Sequence, residues 1–210
     1  MQKCFVYRII SQPAAGYSVA VTLTLMCLPL VQPAYASTYS FTAIDVPGAT
    51  PGSIEPFDIN NNGQITGTYY DGSYHGFLFS GGTYTTLNVP QSVATYAKGI
   101  SDKGQIVGYY QDSVGTHGFL FSGGTYTTLD GPGSAAFGTH AYGINNKGEI
   151  VGYYSPGSPG SPPYQDFLYS EGSYTPLNPP YSNGAINAVT TGINNPGQIV
   201  GFGAGTNGET

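Results

Sequence analysis

Beyond residue 36, apolar and polar residues alternate in short runs broken by glycine, asparagine and proline, and Lys, Glu and Ala nowhere gather in helical spacing. A period of two with turn residues at the breaks predicts β-strands. One stretch, Gly99–Tyr110, recurs with small changes at Asp58–Tyr69, Gly143–Tyr154 and Gly192–Gly203. Its centre, Asn/Ser-Asn/Asp-x-Gly, places residues that tolerate positive φ where the chain must reverse, and the flanking Gly-Ile and Ile-Val pieces are β-prone. Each copy therefore predicts a strand, a turn and a strand. The turn glycines are Gly63, Gly104, Gly148 and Gly197, at steps of 41, 44 and 49 residues, a period that belongs to a repeat architecture.

The remaining pattern completes a four-stranded unit. Strand a ends in Gly-Ile, as in Tyr96–Ile100 or Ala141–Ile144, and strand b is Gln-Ile-Val-Gly-Tyr-Tyr or a variant. Strand c is Gly76–Phe79, Gly118–Phe121 or Asp166–Tyr169, each running into Ser-Gly-Gly or Ser-Glu-Gly, a hairpin signal. Strand d, at Thr83–Leu87, Thr125–Leu129 and Ser173–Leu177, alternates Tyr and Leu with Thr, as a strand with one buried face does. An Asx followed by proline closes every unit: Asn88 with Pro90, Asp130 with Pro132, Asn178 with Pro180.

Phe41–Pro47 has the pattern of strand d with no a, b or c before it. The order d, three times abcd, then ab predicts a ring closed by pairing its two ends. The expected fold is thus an all-β, β-propeller-like array over 37–210, with units at 48–90, 91–132, 133–180 and a partial one at 181–210. The stretch 38–47 is an isolated outer strand available to the last a–b pair. A β-trefoil is the alternative, but it has three units, and the fourth a–b hairpin at Thr190–Phe202 counts against it. A closed ring is expected to be monomeric, and an unclosed array to self-associate through its free edges.

Composition narrows the picture. The chain holds Gly 32, Tyr 19 and only 8% charged residues, yet aromatic and β-branched residues keep regular spacing, which argues for packed strands rather than a disordered chain. Lys3, Arg8 and an apolar run from Ala14 to Val31, ending at Ala34-Tyr35-Ala36, predict a signal helix and signal peptide over 1–36 with cleavage before Ser37. An uncleaved anchor is the alternative, weakened by Gly16, Ser18, Thr22 and Thr24, and Met26 before Cys27 speaks against lipidation. The expected location is secreted or extracellular, in the periplasm or at the cell surface, with no membrane contact after cleavage. Net charge is −6, and three lysines face eleven acids once the leader is set aside, so there is no basic patch for nucleic acid. Cys4 and Cys27 both lie in the leader, which leaves the rest without disulfides or a thiol nucleophile.

The candidate chemistry lies on the loops between strands b and c. Tyr70, Asp71 and His75 in one unit and Tyr110, Asp112 and His117 in the next project from a rigid scaffold, with a Ser155–Pro163 insertion in the third. Aromatic faces suit sugar rings and Asp supplies directional acceptors, so a glycan or cell-surface partner is the expected ligand. No metal site and no cofactor are expected. His75 and His117 sit in neighbouring units, whereas zinc ligands must converge within ~2.3 Å of one ion, and both are expected to bond loop backbone. His140 stands isolated. The Asn-rich turns lack the carboxylates of a calcium loop. No G-x-S-x-G elbow occurs. The expectation is a non-enzymatic scaffold, with a carbohydrate-active hydrolase using Asp71 and Asp112, or a structural matrix component, as alternatives.

The turn Ile144–Gly152, Ile-Asn-Asn-Lys-Gly-Glu-Ile-Val-Gly, and the strand starts His75–Leu78 and His117–Leu120, His-Gly-Phe-Leu, resemble the bacterial extracellular HAF repeats. The resemblance covers nearly all of the chain beyond the leader. It implies export and a propeller-like fold, and it carries over no catalytic residue. The third unit departs from the pattern, with Gln165-Asp166 in place of His-Gly, so histidine cannot serve a function that every unit requires.

Overall fold

The computed structural model describes residues 5–9, 39–134, 138–156, 164–178 and 188–203. Among these residues there are sixteen strands and no helix, so the protein is all-β. The chain divides into two compact units, Lys3–Ile44 and Asp45–Thr210.

The smaller unit pairs β1 (Phe5–Ile9) with β2 (Tyr39–Ala43), antiparallel, Phe5 opposite Ala43 and Ile9 opposite Tyr39. The stretch 38–47, available in sequence to the last a–b pair, is instead paired over Tyr39–Ala43 with Phe5–Ile9. Phe5–Ile9 is itself a run of aromatic and β-branched residues, and a strand with free backbone groups takes such a partner. The signal helix expected over 1–36 otherwise lies outside the described residues, as does most of the Ser155–Pro163 insertion.

The larger unit carries the repeats. β3 (Glu55–Ile59), β4 (Ile65–Tyr70), β5 (Tyr74–Ser80) and β6 (Thr83–Leu87) form one antiparallel sheet in chain order. The second holds β7 (Ala94–Ile100), β8 (Ile106–Gln111), β9 (Thr116–Ser122) and β10 (Thr125–Leu129), and the third β11 (Thr139–Ile144), β12 (Ile150–Tyr154), β13 (Gln165–Ser170) and β14 (Ser173–Leu177). A two-stranded sheet of β15 (Ala188–Ile193) and β16 (Ile199–Gly203) follows. Each full sheet contains one repeat, its strands a to d side by side.

Strand a is bulged at the same place every time. The register slips between Pro56 and Asp58, Ala97 and Gly99, Ala141 and Gly143, and Thr190 and Gly192. Phe57, Lys98, Tyr142 and Thr191 are therefore extra residues, and a bulge re-aims the side chain it inserts. The strand-b glycine makes room for this. A Cβ on Gly108 would lie 2.0 Å from the Tyr96 carbonyl oxygen and 2.9 Å from the ring of Phe119, its cross-strand partner. Phe77, Phe119 and Phe167 fill that space in successive sheets and are fully buried.

Sheets stack with one face on the opposite face of the next. Leu87 and Val89 of the first repeat pack with Ala97, Ile106 and Phe119 of the second. Val107 and Leu129 of the second pack with Ala141, Ile150 and Phe167 of the third. The a–b turns add a polar ladder along the same direction. Asn61 N donates to Asp102 Oδ1 (2.8 Å), Asp102 N to Asn146 Oδ1 (2.8 Å), and Asn146 N to Asn195 Oδ1 (2.9 Å). The turn glycines have φ of 72°, 72°, 86° and 89°, as the Asx-x-Gly pattern requires.

Candidate functional site

The b–c loops are tied down by their histidines. His75 opens β5 with Nδ1 2.7 Å from Asn88 Oδ1 and Nε2 3.0 Å from Asp71 Oδ1. His117 Nδ1 lies 3.0 Å from Asp130 Oδ1, and its Nε2 3.6 Å from Asp112 Oδ1. His75 thus bonds both its loop and the Asx that ends strand d, while His117 bonds the Asx and leaves Nε2 facing Asp112 without a hydrogen bond; the partners are side chains and not the loop backbone expected. The third repeat ties the start of strand c to the end of strand d differently, Gln165 Nε2 donating to the Leu177 backbone carbonyl at 3.0 Å. The following position explains the rest of that departure. A Cβ on Gly118 would lie 2.7 Å from the Leu129 carbonyl oxygen, while Asp166 at this place in the third repeat accepts from Thr190 N at 3.0 Å. Burial pushes the Asp166 carboxyl up.

The six residues expected on one loop face separate. Tyr110 is buried, its hydroxyl 3.1 Å from Thr128 Oγ1 and its ring stacked on His117, which is buried as well. Tyr69, not Tyr70, is its counterpart, with its hydroxyl 3.1 Å from Thr86 Oγ1. These tyrosines are core residues and offer no face to a ligand. Asp112 accepts from Val114 N (2.7 Å) and Gly115 N (3.0 Å), which holds its carboxyl below the usual range and shapes its own loop. Asp71 serves His75. Tyr70 stays outside with Tyr74, 38% and 44% exposed, their ring centroids 5.1 Å apart.

From Tyr74 a file of rings runs across three repeats. Tyr74 to Tyr96 is 5.1 Å between centroids, Tyr96 to Tyr109 4.6 Å, Tyr109 to His140 4.3 Å, His140 to Tyr153 4.7 Å, and Tyr153 to Tyr164 4.9 Å. Two of these steps are cross-strand pairs of strands a and b, Tyr96 opposite Tyr109 and His140 opposite Tyr153. The others cross between repeats or enter a b–c loop. The bulges add Tyr142, 5.9 Å from Tyr153, and Lys98, whose Nζ stands 3.3 Å over the Phe57 ring and 5.7 Å from the Tyr109 centroid. His140, isolated in sequence, sits in the middle of this file.

Its electrostatics follow from burial. Desolvation lowers Lys98 to about 8, against the pull of the Glu55 charge in the other direction. Desolvation lowers His140 to about 4, with the Lys98 charge adding to the effect. Burial pushes Tyr109 and Tyr153 up. At neutral pH the file therefore carries neutral rings, hydroxyl groups and one ammonium. Such a surface can stack against the apolar face of a sugar and hydrogen-bond its hydroxyls.

The turn ladder surrounds an open cavity of about 200 Å³ lined by Asp58, Asn60, Asp102, Asn145 and Asn194 among others. Its acids are engaged: Asp58 accepts from Ile59 N and Ile100 N, and Asp102 from Asn61 and Asn146. Among the described residues no group of three or more His, Cys, Asp or Glu gathers to hold a metal ion. No family model and no curated protein matches the chain.

Proposed function

We propose that this chain is an exported, non-enzymatic repeat protein of the HAF-repeat kind, a propeller-like scaffold that binds an extracellular polysaccharide along its file of aromatic rings. The observation that carries this is the file itself: six rings in sequence from Tyr74 to Tyr164, crossing three repeats, beginning at the exposed Tyr70–Tyr74 pair. Isolated tyrosines at repeat positions would serve packing alone, as Tyr69 and Tyr110 do, whereas a continuous file offers successive sugar units a row of ring edges and hydroxyl groups. The propeller-like form is supported by repeats that stack face to opposite face with the same core positions, and by the one-directional ladder of turns.

Affinity electrophoresis of the purified chain through gels containing soluble polysaccharides tests this. At least one polysaccharide should retard the protein, and Tyr74→Ala combined with Tyr96→Ala should weaken retention by about tenfold, the scale of two aromatic contacts. A double variant retarded as strongly as the parent, or a parent retarded by none of the polymers, defeats the proposal.

A further inference from the structure

We propose that the polysaccharide is acidic, built on uronic acids, and that one of its carboxylates seats on Lys98; this rests on the polysaccharide-binding proposal above. The bulge of β7 turns the Lys98 side chain into the aromatic file, where its Nζ lies 3.3 Å over Phe57, 5.7 Å from the Tyr109 centroid and 6.0 Å from that of Tyr96. The residue is half-buried, and among the described residues its ammonium has no hydrogen-bond acceptor and no carboxylate within ion-pair distance. An ammonium has three N–H donors, and a ring face beneath it satisfies none of them fully. The Glu55 charge acts on it without reaching ion-pair distance and offsets only part of the cost of burial, which still pulls its protonation down.

A ligand carboxylate answers both needs, supplying acceptor oxygens and the missing charge. A pyranose resting on the outer edges of the stacked Tyr96 and Tyr109 rings would bring its ring-borne carboxylate within reach of Nζ, which lies 5.7–6.0 Å from both centroids. Nothing else in the file competes for it. His140 is held neutral, Lys103 is exposed on an a–b turn, and Lys147 stands 3.9 Å from Glu149. A neutral sugar could satisfy the N–H groups through hydroxyls but would leave the charge unmatched. The net charge of −6 opposes a polyanion at long range and Glu55 opposes it locally, so recognition depends on the Lys98 contact and on the aromatic file outweighing both.

The test compares polygalacturonate with its fully methyl-esterified form, which keeps the backbone and removes the charge, in affinity electrophoresis and calorimetry with the full chain. The acid form should bind about tenfold tighter than the ester. Lys98→Gln should abolish that preference, leaving acid and ester bound alike, Lys98→Arg should keep most of it, and Tyr96→Ala should weaken binding of both polymers in the same proportion. Circular dichroism and melting of the Lys98 variants establish that they fold, and Lys98→Arg keeps the question open to measurement if Lys98→Gln does not. Equal affinity for acid and ester, or a preference that survives Lys98→Gln, overturns the inference and leaves polysaccharide binding standing. Retention by neither polymer, nor by any neutral one, overturns both.

Discussion

Val107, Val151 and Val200 hold one place in successive repeats, and their surroundings differ. Val107 and Val151 are fully buried against the next sheet, whereas Val200 is 64% exposed. Val107→Ala deletes two buried carbons, about 1.6 kcal/mol at roughly 0.8 kcal/mol each. If the neighbours do not relax, a void of about 50 Å³ adds up to about 1.2 kcal/mol at ~24 cal/mol per Å³. The expected cost is about 1.5–3 kcal/mol, a fall in Tm of roughly 3–12 °C for a body of this size. Val200→Ala should cost under about 0.5 kcal/mol, because water already covers most of that side chain. Urea titration followed by far-UV circular dichroism, with calorimetry beside it, measures both; the chain has no tryptophan to report by fluorescence. Equal losses for the two variants would mean that the last repeat is covered in solution just as the inner ones are. A negligible loss for Val107→Ala would remove the sheet-on-sheet core as the source of stability.

Three further outcomes are expected. Gly148→Val forces a β-branched residue to φ of 86° and should destabilise by about 1–3 kcal/mol through strain alone, since a Cβ there meets no neighbour within 4 Å; unchanged melting would refute that turn geometry. His140 has a folded value of about 4 against an ordinary value near 6.5, so the unfolded chain takes up its proton first. Stability should be complete above about pH 6.5 and decline toward pH 4, with a shallower decline in His140→Phe, measured as Tm across that range. Hydrogen bonds from Asn146 and Asn61 hold the Asp102 carboxyl below its usual range, so its contribution is present above about pH 4 and lost on further acidification. Asp102→Asn, which recreates the residue found at Asn146 and Asn195, should fold and show a flatter acid limb below that pH; an identical limb would count against the ladder.

Turns and strand types were legible in the chain because they depend on neighbours in sequence. Gly63, Gly104, Gly148 and Gly197 stand at positive φ because a two-strand reversal needs it, and Asx-x-Gly states that need locally. The third repeat's Gln165-Asp166 was visible as a departure, but its meaning was not. It depends on the Leu177 carbonyl and on Thr190 N, 12 and 24 residues away. Tyr110 was misplaced for a related reason. In a strand, adjacent residues face opposite sides, so the choice between the two members of a Tyr-Tyr pair turns on register, which pairing partners set. The same cause hid the aromatic file: Glu55, Tyr96 and His140 share one register position with three residue types, and Thr68 stands where the next two repeats have Tyr109 and Tyr153.

The chain by itself therefore determined an all-β repeat with tight Asx-Gly turns, a thiol-free body and an acidic surface, since each follows from local backbone preference or from counting residues. Tertiary structure alone decided which faces meet, where Phe5–Ile9 pairs, and how a one-residue bulge in every strand a carries Lys98 and Tyr142 into a file of rings drawn from three repeats. These outcomes depend on distances between residues tens of positions apart, and a side-chain period of two turns any one-residue shift into a change of face.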